Sequence, residues 1–143
     1  MVKIRKMKEE DIDRIVYLEE TILGESLGKQ MLLDEMNSNI TKFYVATIDD
    51  VVVGYIGRYA YLDQAEILNL VVDEAYQRMG IGQKLLDQIK LDLPTLKTIT
   101  LEVRVSNGKA IRFYEKNGFV PLYKRFNYYR NGEDALIYAK EYI

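Results

Sequence analysis

The chain has 143 residues, of which 48% are hydrophobic and 29% are charged, and its formal net charge is −2. This length predicts one domain spanning residues 1–143, and the weak negative charge argues against a nucleic-acid partner. Cysteine and histidine are absent, which excludes disulfides, a cysteine nucleophile and the usual zinc sites, so we expect no metal. Any acid–base chemistry must then fall to Glu, Asp, Lys, Tyr or a backbone group.

The elements predicted in chain order follow the pattern β-α-α-β-β-β-α-β-α-β-β. Hydrophobic periodicity, with Gly, Asp and Pro as turn signals, gives their bounds. The strands cover residues 2–7, 43–48, 51–60, 65–72, 98–105, 119–128 and 135–142, and the helices cover 11–22, 29–36, about 80–93 and 107–117. The central strand–helix–strand step predicts a parallel pair with hairpins on either side. We therefore predict an α/β (α+β) fold with a mixed central sheet flanked by helices.

The sequence predicts no signal peptide at its N-terminus and no membrane-spanning segment. The N-terminus lacks the apolar core of a signal peptide, and no apolar run is long enough to cross a bilayer. We therefore expect a cytoplasmic protein with no membrane partner. The oligomeric state is not predicted.

A loop with two glycines joins the apolar strand at 67–72 to the next helix. The first amides of a helix have no intrahelical partners and lie at the positive end of its dipole, so they attract phosphate groups. Gly80 and Gly82 would let the backbone approach an anion without an intervening Cβ. The loop lacks the third glycine of the dinucleotide fingerprint and the Gly-Lys-Ser/Thr of a P-loop. The loop therefore predicts a phosphate-binding site that belongs to neither of these two motifs. The alternative is an ordinary strand-to-helix turn.

Residues 77–82, Gln-Arg-Met-Gly-Ile-Gly, resemble the Q/R-x-x-G-x-G/A loop of the GNAT superfamily of acyl-CoA-dependent N-acyltransferases. The resemblance implies a splayed mixed sheet over essentially the whole chain, with acetyl-CoA between the fourth and fifth strands and its pyrophosphate on the loop amides. The residues that it assigns to the cofactor are Leu70, Val71, Val72, Gln77, Arg78, Met79, Gly80, Ile81, Gly82, Gln83 and Asn107. For Asn107 a helix N-cap is an equal alternative, and both roles can hold.

Two further blocks narrow the resemblance. Residues 101–119 resemble the L-E-V-R-x-S-N…A-I-x-x-Y-x-x-x-G-F pattern of the protein N-terminal acetyltransferases, and residues 127–135 resemble their N-Y-Y…E-D-A block. The nearest branch acetylates the N-terminal alanine of a small-subunit ribosomal protein. The resemblance therefore implies acetyl transfer to a protein or peptide N-terminus, with a ribosomal protein as the acceptor.

The resemblance implies that Glu102 is the general base and Tyr114 the general acid. A protein α-amino group has a pKa of about 7.7–8.0, so a base need remove only one proton, directly or through a water. A tyrosine of pKa about 10 can protonate a departing thiolate of pKa about 8.5. The alternatives are a strand carboxylate paired with Arg104 and a core tyrosine whose hydroxyl has a backbone partner.

The resemblance implies that Tyr128 and Tyr129 line the peptide groove, and packing at a strand end is the alternative. Lys124, Arg125 and Arg130 form a small basic patch that is typical of a solvated edge. The ribosomal branch often carries a Pro-Trp pair in the loop between its first two helices, whereas residues 23–28 here are Leu-Gly-Glu-Ser-Leu-Gly. This departure leaves the accepted N-terminus open. Acetylation of a small amine and a non-catalytic acyl-CoA-binding module are the other candidate functions.

Overall fold

The computed structural model describes residues 1–142, and within them seven strands form one mixed sheet in the order β1-β2-β3-β4-β5-β7-β6. Short 3-10 turns at Glu9–Asp11 and Glu74–Tyr76 precede α1 and α3. The strands are β1 Val2–Lys6, β2 Thr41–Ile48, β3 Val51–Tyr61, β4 Gln64–Val72, β5 Thr98–Arg104, β6 Val120–Arg125 and β7 Ala135–Glu141, and the helices are α1 Ile12–Leu23, α2 Lys29–Glu35, α3 Ile81–Asp92 and α4 Gly108–Lys116. The predicted class and element order are confirmed.

The middle of the sheet opens where β4 and β5 part. These two strands are parallel, as predicted, but they pair only from Gln64↔Thr98 to Ile67↔Leu101. Beyond the last pair both strands continue without facing each other, and β7 lies against the far side of β5. The result is a gap, called here the β4–β5 opening, at the carboxyl ends of the two strands.

Two apolar clusters cover the two faces of the sheet. Leu85 and Ile89 of α3 pack on one face with Leu101 of β5, and Ile15 and Leu18 of α1 pack on the other. The apolar positions in each helix recur every three or four residues, so each helix presents a single stripe to the sheet. Burying each such side chain stabilises the fold by about 1.5–3 kcal/mol.

The turn between β2 and β3 has the predicted geometry, whereas the connection between β6 and β7 is longer than predicted. Asp49 and Asp50 adopt φ of 50° and 65° between β2 and β3, as the two-residue turn predicted there requires. The predicted strand over 119–128 instead ends at Arg125. A turn does lie at Asn131-Gly132, where the Gly132 amide donates to the Tyr129 carbonyl at 2.9 Å. The amide of Asn127 bonds the Asp134 side chain at 2.9 Å, so side-chain bonds replace the strand ladder and residues 126–134 form a longer loop.

Val105, the last residue of the strand predicted over 98–105, lies beyond the end of β5 and is exposed. Among residues 1–142, no helix combines the length and the apolar character that crossing a bilayer requires.

Candidate active site

The amides at the start of α3 have no hydrogen-bond partner among residues 1–142. Gly80 is the N-cap, with φ of 78°, and the first helical bond runs from the Lys84 amide to the Gly80 carbonyl at 3.1 Å. Among residues 1–142, no carbonyl or side chain accepts a hydrogen bond from the amides of residues 78–83. These donors lie at the positive end of the helix dipole and are available to an anion.

The side chains of this loop differ in their surroundings. Arg78 and Met79 are exposed, and Arg78 adopts an unusual positive φ of 69°. Ile81, the first residue of α3, is buried, and the Gln83 side chain donates to the Asp87 carboxyl group one turn further along the helix. A Cβ on Gly82 would stand 3.6 Å from the Phe113 ring. The loop therefore offers unpaired backbone amides to an anion, and the contacts predicted for Gln77, Arg78, Met79, Ile81 and Gln83 stay predictions.

The start of the loop is fixed by polar contacts with the ends of two strands. The Asp73 amide donates to the Val53 carbonyl at 2.7 Å, and the Asp73 side chain accepts from Arg14 at 2.7 Å. The Gln77 side chain donates to the Val72 carbonyl at 3.0 Å. Arg14 was not singled out from the sequence, because its partner lies 59 positions away.

One edge of β4 faces the β4–β5 opening. The Asp73 amide points to β3, where it donates to Val53. In an antiparallel ladder the backbone N–H and C=O groups of alternate residues point to opposite sides of the strand. The backbone groups of Leu70 and Val72 therefore point toward the opening. Val71 pairs with Tyr55 of β3 in the same alternation. Of the three predicted contacts on this strand, Leu70 and Val72 have the required orientation, and the role of Val71 stays a prediction.

Glu102 is the first β5 residue beyond the last β4–β5 pair, and its side chain is 25% exposed. The guanidinium of Arg125, on β6, lies 3.7 Å from its carboxyl group. Arg104 instead binds Glu25 at 2.8 Å, so the alternative pairing of Glu102 with Arg104 is wrong. Arg125 belongs to the basic patch that was predicted as a solvated edge, and it brings a positive charge to Glu102.

Tyr128 and Tyr129 lie beside Glu102. Their ring centroids are 5.1 Å apart, and the Arg104 guanidinium stacks 3.9 Å from the centre of the Tyr129 ring. A hydrogen bond to the Glu102 carboxyl group raises the pKa of Tyr128. Burial, followed by the charge of Glu102, raises the pKa of Tyr129 to about 12. Both hydroxyls therefore remain protonated donors.

Tyr114 lies on the other face of the sheet. Its ring is 6% exposed and packs edge-on against Phe113 and Phe119, with centroids 5.4 Å apart in each pair. Burial raises the pKa of its hydroxyl, which has no hydrogen-bond partner within residues 1–142. Leu101 of β5 packs in the same cluster, so strand alternation directs Glu102 to the opposite face. Glu102 and Tyr114 therefore lie on opposite faces of the sheet.

Asn107 caps α4, because its side-chain oxygen accepts from the Ala110 amide at 3.2 Å. Its side-chain NH2 has no partner in residues 1–142, so a cofactor contact stays a prediction alongside the cap.

Glu66 is a site residue that the sequence did not reveal. It pairs with Thr100, which places it on the same sheet face as Glu102. Burial, then the charge of Glu102, raises the pKa of Glu66. The polar position in β4 was visible in the sequence, but no motif distinguished it from a solvated side chain.

Comparison with known proteins gives consistent matches. A family model described as Acetyltransferase (GNAT) domain matches residues 39–121. An N-alpha-acetyltransferase of Sulfurisphaera tokodaii is 31% identical over 96% of this chain and 91% of its own length. The [ribosomal protein bS18]-alanine N-acetyltransferase of Salmonella typhimurium is 40% identical over 65% of this chain and 66% of its own length. The crystal structure of the Escherichia coli ribosomal-protein-S18-alanine N-acetyltransferase superposes with a TM-score of 0.87 and 29% identity, covering 99% of this chain and 94% of that one.

Proposed function

The chain belongs to the GNAT acetyltransferase family, and from that premise we propose that it acetylates the N-terminal α-amino group of a protein, with acetyl-CoA as co-substrate. One observation carries the proposal. The free amides of residues 78–83 lie at the end of an opening that has Glu102 on one face of the sheet and Tyr114 on the other.

The residues around the opening fit coenzyme A. The free loop amides match a pyrophosphate, and the β4 edge at Leu70 and Val72 offers polar backbone groups to the pantetheine arm. Acetyl-CoA supplies an acetyl group activated as a thioester. A β4 amide would stabilise the charge that develops on the acyl oxygen, an effect of about 3 kcal/mol for one well-placed donor.

Two side chains would move the protons. Glu102 accepts a proton from the acceptor amine, directly or through a water, as the nitrogen forms its bond to the acyl carbon. Tyr114 donates its proton to the sulfur as the carbon–sulfur bond breaks. Near neutral pH part of the acceptor amine, whose pKa is about 7.7–8.0, is already neutral and needs to lose only one proton as its new bond forms. Burial raises the pKa of Tyr114 further above the thiol pKa of about 8.5, so its proton would move only in concert with cleavage of the carbon–sulfur bond.

The acceptor would enter on the face of the sheet that carries Glu102. Tyr128, Tyr129 and Glu25 border this face, held together through Arg104. Relatives named N-alpha-acetyltransferase and ribosomal protein bS18-alanine N-acetyltransferase support a protein N-terminus as acceptor. We therefore propose a ribosomal protein with an N-terminal alanine as the first acceptor to test, and a cytoplasmic place of reaction. The loop at residues 24–28 lacks the Pro-Trp pair of that branch and is where acceptor preference would differ.

The test is a mass-spectrometric screen of peptides with varied first residues, incubated with acetyl-CoA and the protein. Acetylation of the α-amino group, strongest for one class of first residue, supports the proposal. Acetylation of polyamines or free amino acids with no reaction on peptides would overturn it in favour of a small-amine acetyltransferase. Tight binding of coenzyme A without transfer to any amine would overturn it in favour of a binding module.

A further inference from the structure

A fully buried carboxyl group lies beneath the acceptor face of the sheet. Glu19 of α1 is 0% exposed. One of its oxygens accepts from the Ser26 hydroxyl at 2.7 Å. The other accepts from the Tyr55 hydroxyl at 2.6 Å and from the side-chain amide of Asn69. Three separate elements, the α1–α2 loop, β3 and β4, thus converge on one side chain.

No lysine or arginine forms an ion pair with Glu19 within residues 1–142. Burying a carboxyl group is costly unless hydrogen bonds replace its hydration, and here three neutral donors do so. Burial raises the pKa of Tyr55 well above its ordinary value, so its hydroxyl remains a donor. The position of the carboxyl group is therefore determined by these three donors.

Two of the three donors belong to segments that border the proposed site. Ser26 lies in the loop at residues 24–28, and its hydroxyl also accepts from the Gly28 amide, at 2.9 Å, just before α2. Asn69 follows a bulge in β4, where the register with β3 shifts, and precedes Leu70, whose polar groups face the β4–β5 opening. Glu19 thus joins the acceptor side of the site to its cofactor side.

We propose that Glu19 is a positioning residue for acyl transfer, which holds the loop at 24–28 and the edge of β4 in one relative arrangement. The inference rests on the proposed function and adds to it a residue outside the recognised motifs. Displacing reacting groups by about 1 Å can reduce a rate about 100-fold. A link between the two sides of the site is therefore expected to affect turnover more than cofactor binding.

The test uses Glu19→Gln, which keeps the shape but replaces one accepting oxygen by an NH2 group that cannot accept from the same donors. We expect faster amide hydrogen exchange in both residues 24–28 and residues 68–72, with exchange in β7 unchanged. The kcat for a peptide acceptor should fall about 10- to 100-fold, while the KM for acetyl-CoA changes less than about twofold because the amides at 78–83 are untouched.

Asp11→Asn is the matched control. Asp11 is also a buried carboxyl group, bound by Arg5 and by the Lys8 amide, but it contacts neither the loop at 24–28 nor β4. It should lower the melting temperature without changing kcat. The inference is overturned if Glu19→Gln keeps wild-type kcat, or if Asp11→Asn loses kcat to the same extent.

The two proposals fail in different ways. If the wild-type protein acetylates no peptide, the proposed function fails. The connection that Glu19 makes between the loop at 24–28 and β4 is then tested by hydrogen exchange alone. Faster exchange in both segments of Glu19→Gln supports the link, and unchanged exchange in either segment overturns it.

Discussion

Arg125 reaches across β7 to Glu102, with 3.7 Å between its guanidinium and the carboxyl group. The two residues lie on β6 and β5, which are not neighbours in the sheet, and the small side chain of Ala135 pairs with Arg125 on the intervening strand. A cation at this distance attracts a charged carboxylate, and partial exposure leaves that carboxylate accessible to an incoming amine.

Glu102→Gln removes the proposed base with little change of shape. We expect turnover to fall about 100- to 10,000-fold, as is typical when a general base is lost. The dissociation constant for coenzyme A, measured by calorimetry, should stay near the wild-type value because the loop amides are unchanged. Glu115→Gln, at an exposed carboxyl group that bonds Tyr138, is the control and should keep normal turnover. Unchanged turnover in Glu102→Gln would remove the base assignment.

Tyr114→Phe removes one oxygen that has no partner among residues 1–142 and keeps the ring packed against Phe113 and Phe119. We expect turnover to fall about 100-fold with little change in melting temperature. Tyr138→Phe loses a hydroxyl that bonds Glu115 at 2.9 Å and should affect stability but not turnover. Equal rates for Tyr114→Phe and the wild type would show that the proton comes from elsewhere.

The parts of the fold that depend on local patterns were predictable from the sequence. Alternation placed Leu101 inward and Glu102 outward on β5, and the two glycines marked the start of α3. The parallel pairing of β4 and β5 followed from the connecting helix.

Contacts between distant positions were not predictable in this way. Glu19 meets Tyr55 and Asn69 across separations of 36 and 50 residues, and no periodicity in the sequence encodes such a pair. The early end of β6 has the same kind of cause, because side-chain bonds to Asp134 compete with the strand ladder.

Gly80→Ala tests the anion site. A Cβ at a φ of 78° is disfavoured by about 1–2 kcal/mol, so the loop is expected to shift and its amides to lose their common direction. We expect the dissociation constant for acetyl-CoA to rise about tenfold, an effect of about 1.4 kcal/mol.

Gly132→Ala is the matched control for this loop. Gly132 has a φ of 86°, and a Cβ on it, as on Gly80, would meet no atom within 4 Å. Gly132→Ala should lower the free energy of unfolding by about as much as Gly80→Ala does and leave the affinity for acetyl-CoA unchanged. Equal affinities in the two variants would contradict a role for the loop backbone.

Glu66→Gln should make the protein more stable near neutral pH. Because burial and the charge of Glu102 raise the pKa of Glu66, the folded state holds this proton more tightly than the unfolded chain does. The resulting stabilisation is present below the ordinary glutamate pKa of about 4.3 and is lost as the pH rises through the folded pKa. Glutamine resembles the protonated form, so the melting temperature of the variant should exceed that of the wild type near neutral pH and match it in acid. Glu9→Gln, at an exposed carboxyl group, controls for the loss of one negative charge, and a gain of the same size there would contradict the explanation.

Arg104→Lys tests whether one arginine shapes the acceptor side. Its guanidinium binds Glu25 at 2.8 Å and Glu133 at 3.3 Å, and it stacks on Tyr129. Hydrogen bonds from Ser106 and then Asn131 are the main causes that lower the pKa of Glu133 to about 2, so this partner stays charged.

A lysine keeps the charge but cannot bind both carboxyl groups with a planar guanidinium or stack on the Tyr129 ring. The loops at residues 24–28 and 126–134 should therefore separate. We expect the KM for peptide acceptors to rise about tenfold while the KM for acetyl-CoA stays constant, since the anion site lies on another element. Arg5→Lys is the control. It makes the same replacement in a two-pronged ion pair, with Asp11 at 2.7 and 2.9 Å, away from the site, and should alter only stability. If both variants keep the wild-type KM for peptides, acceptor selection does not depend on the connection that Arg104 makes between the two loops.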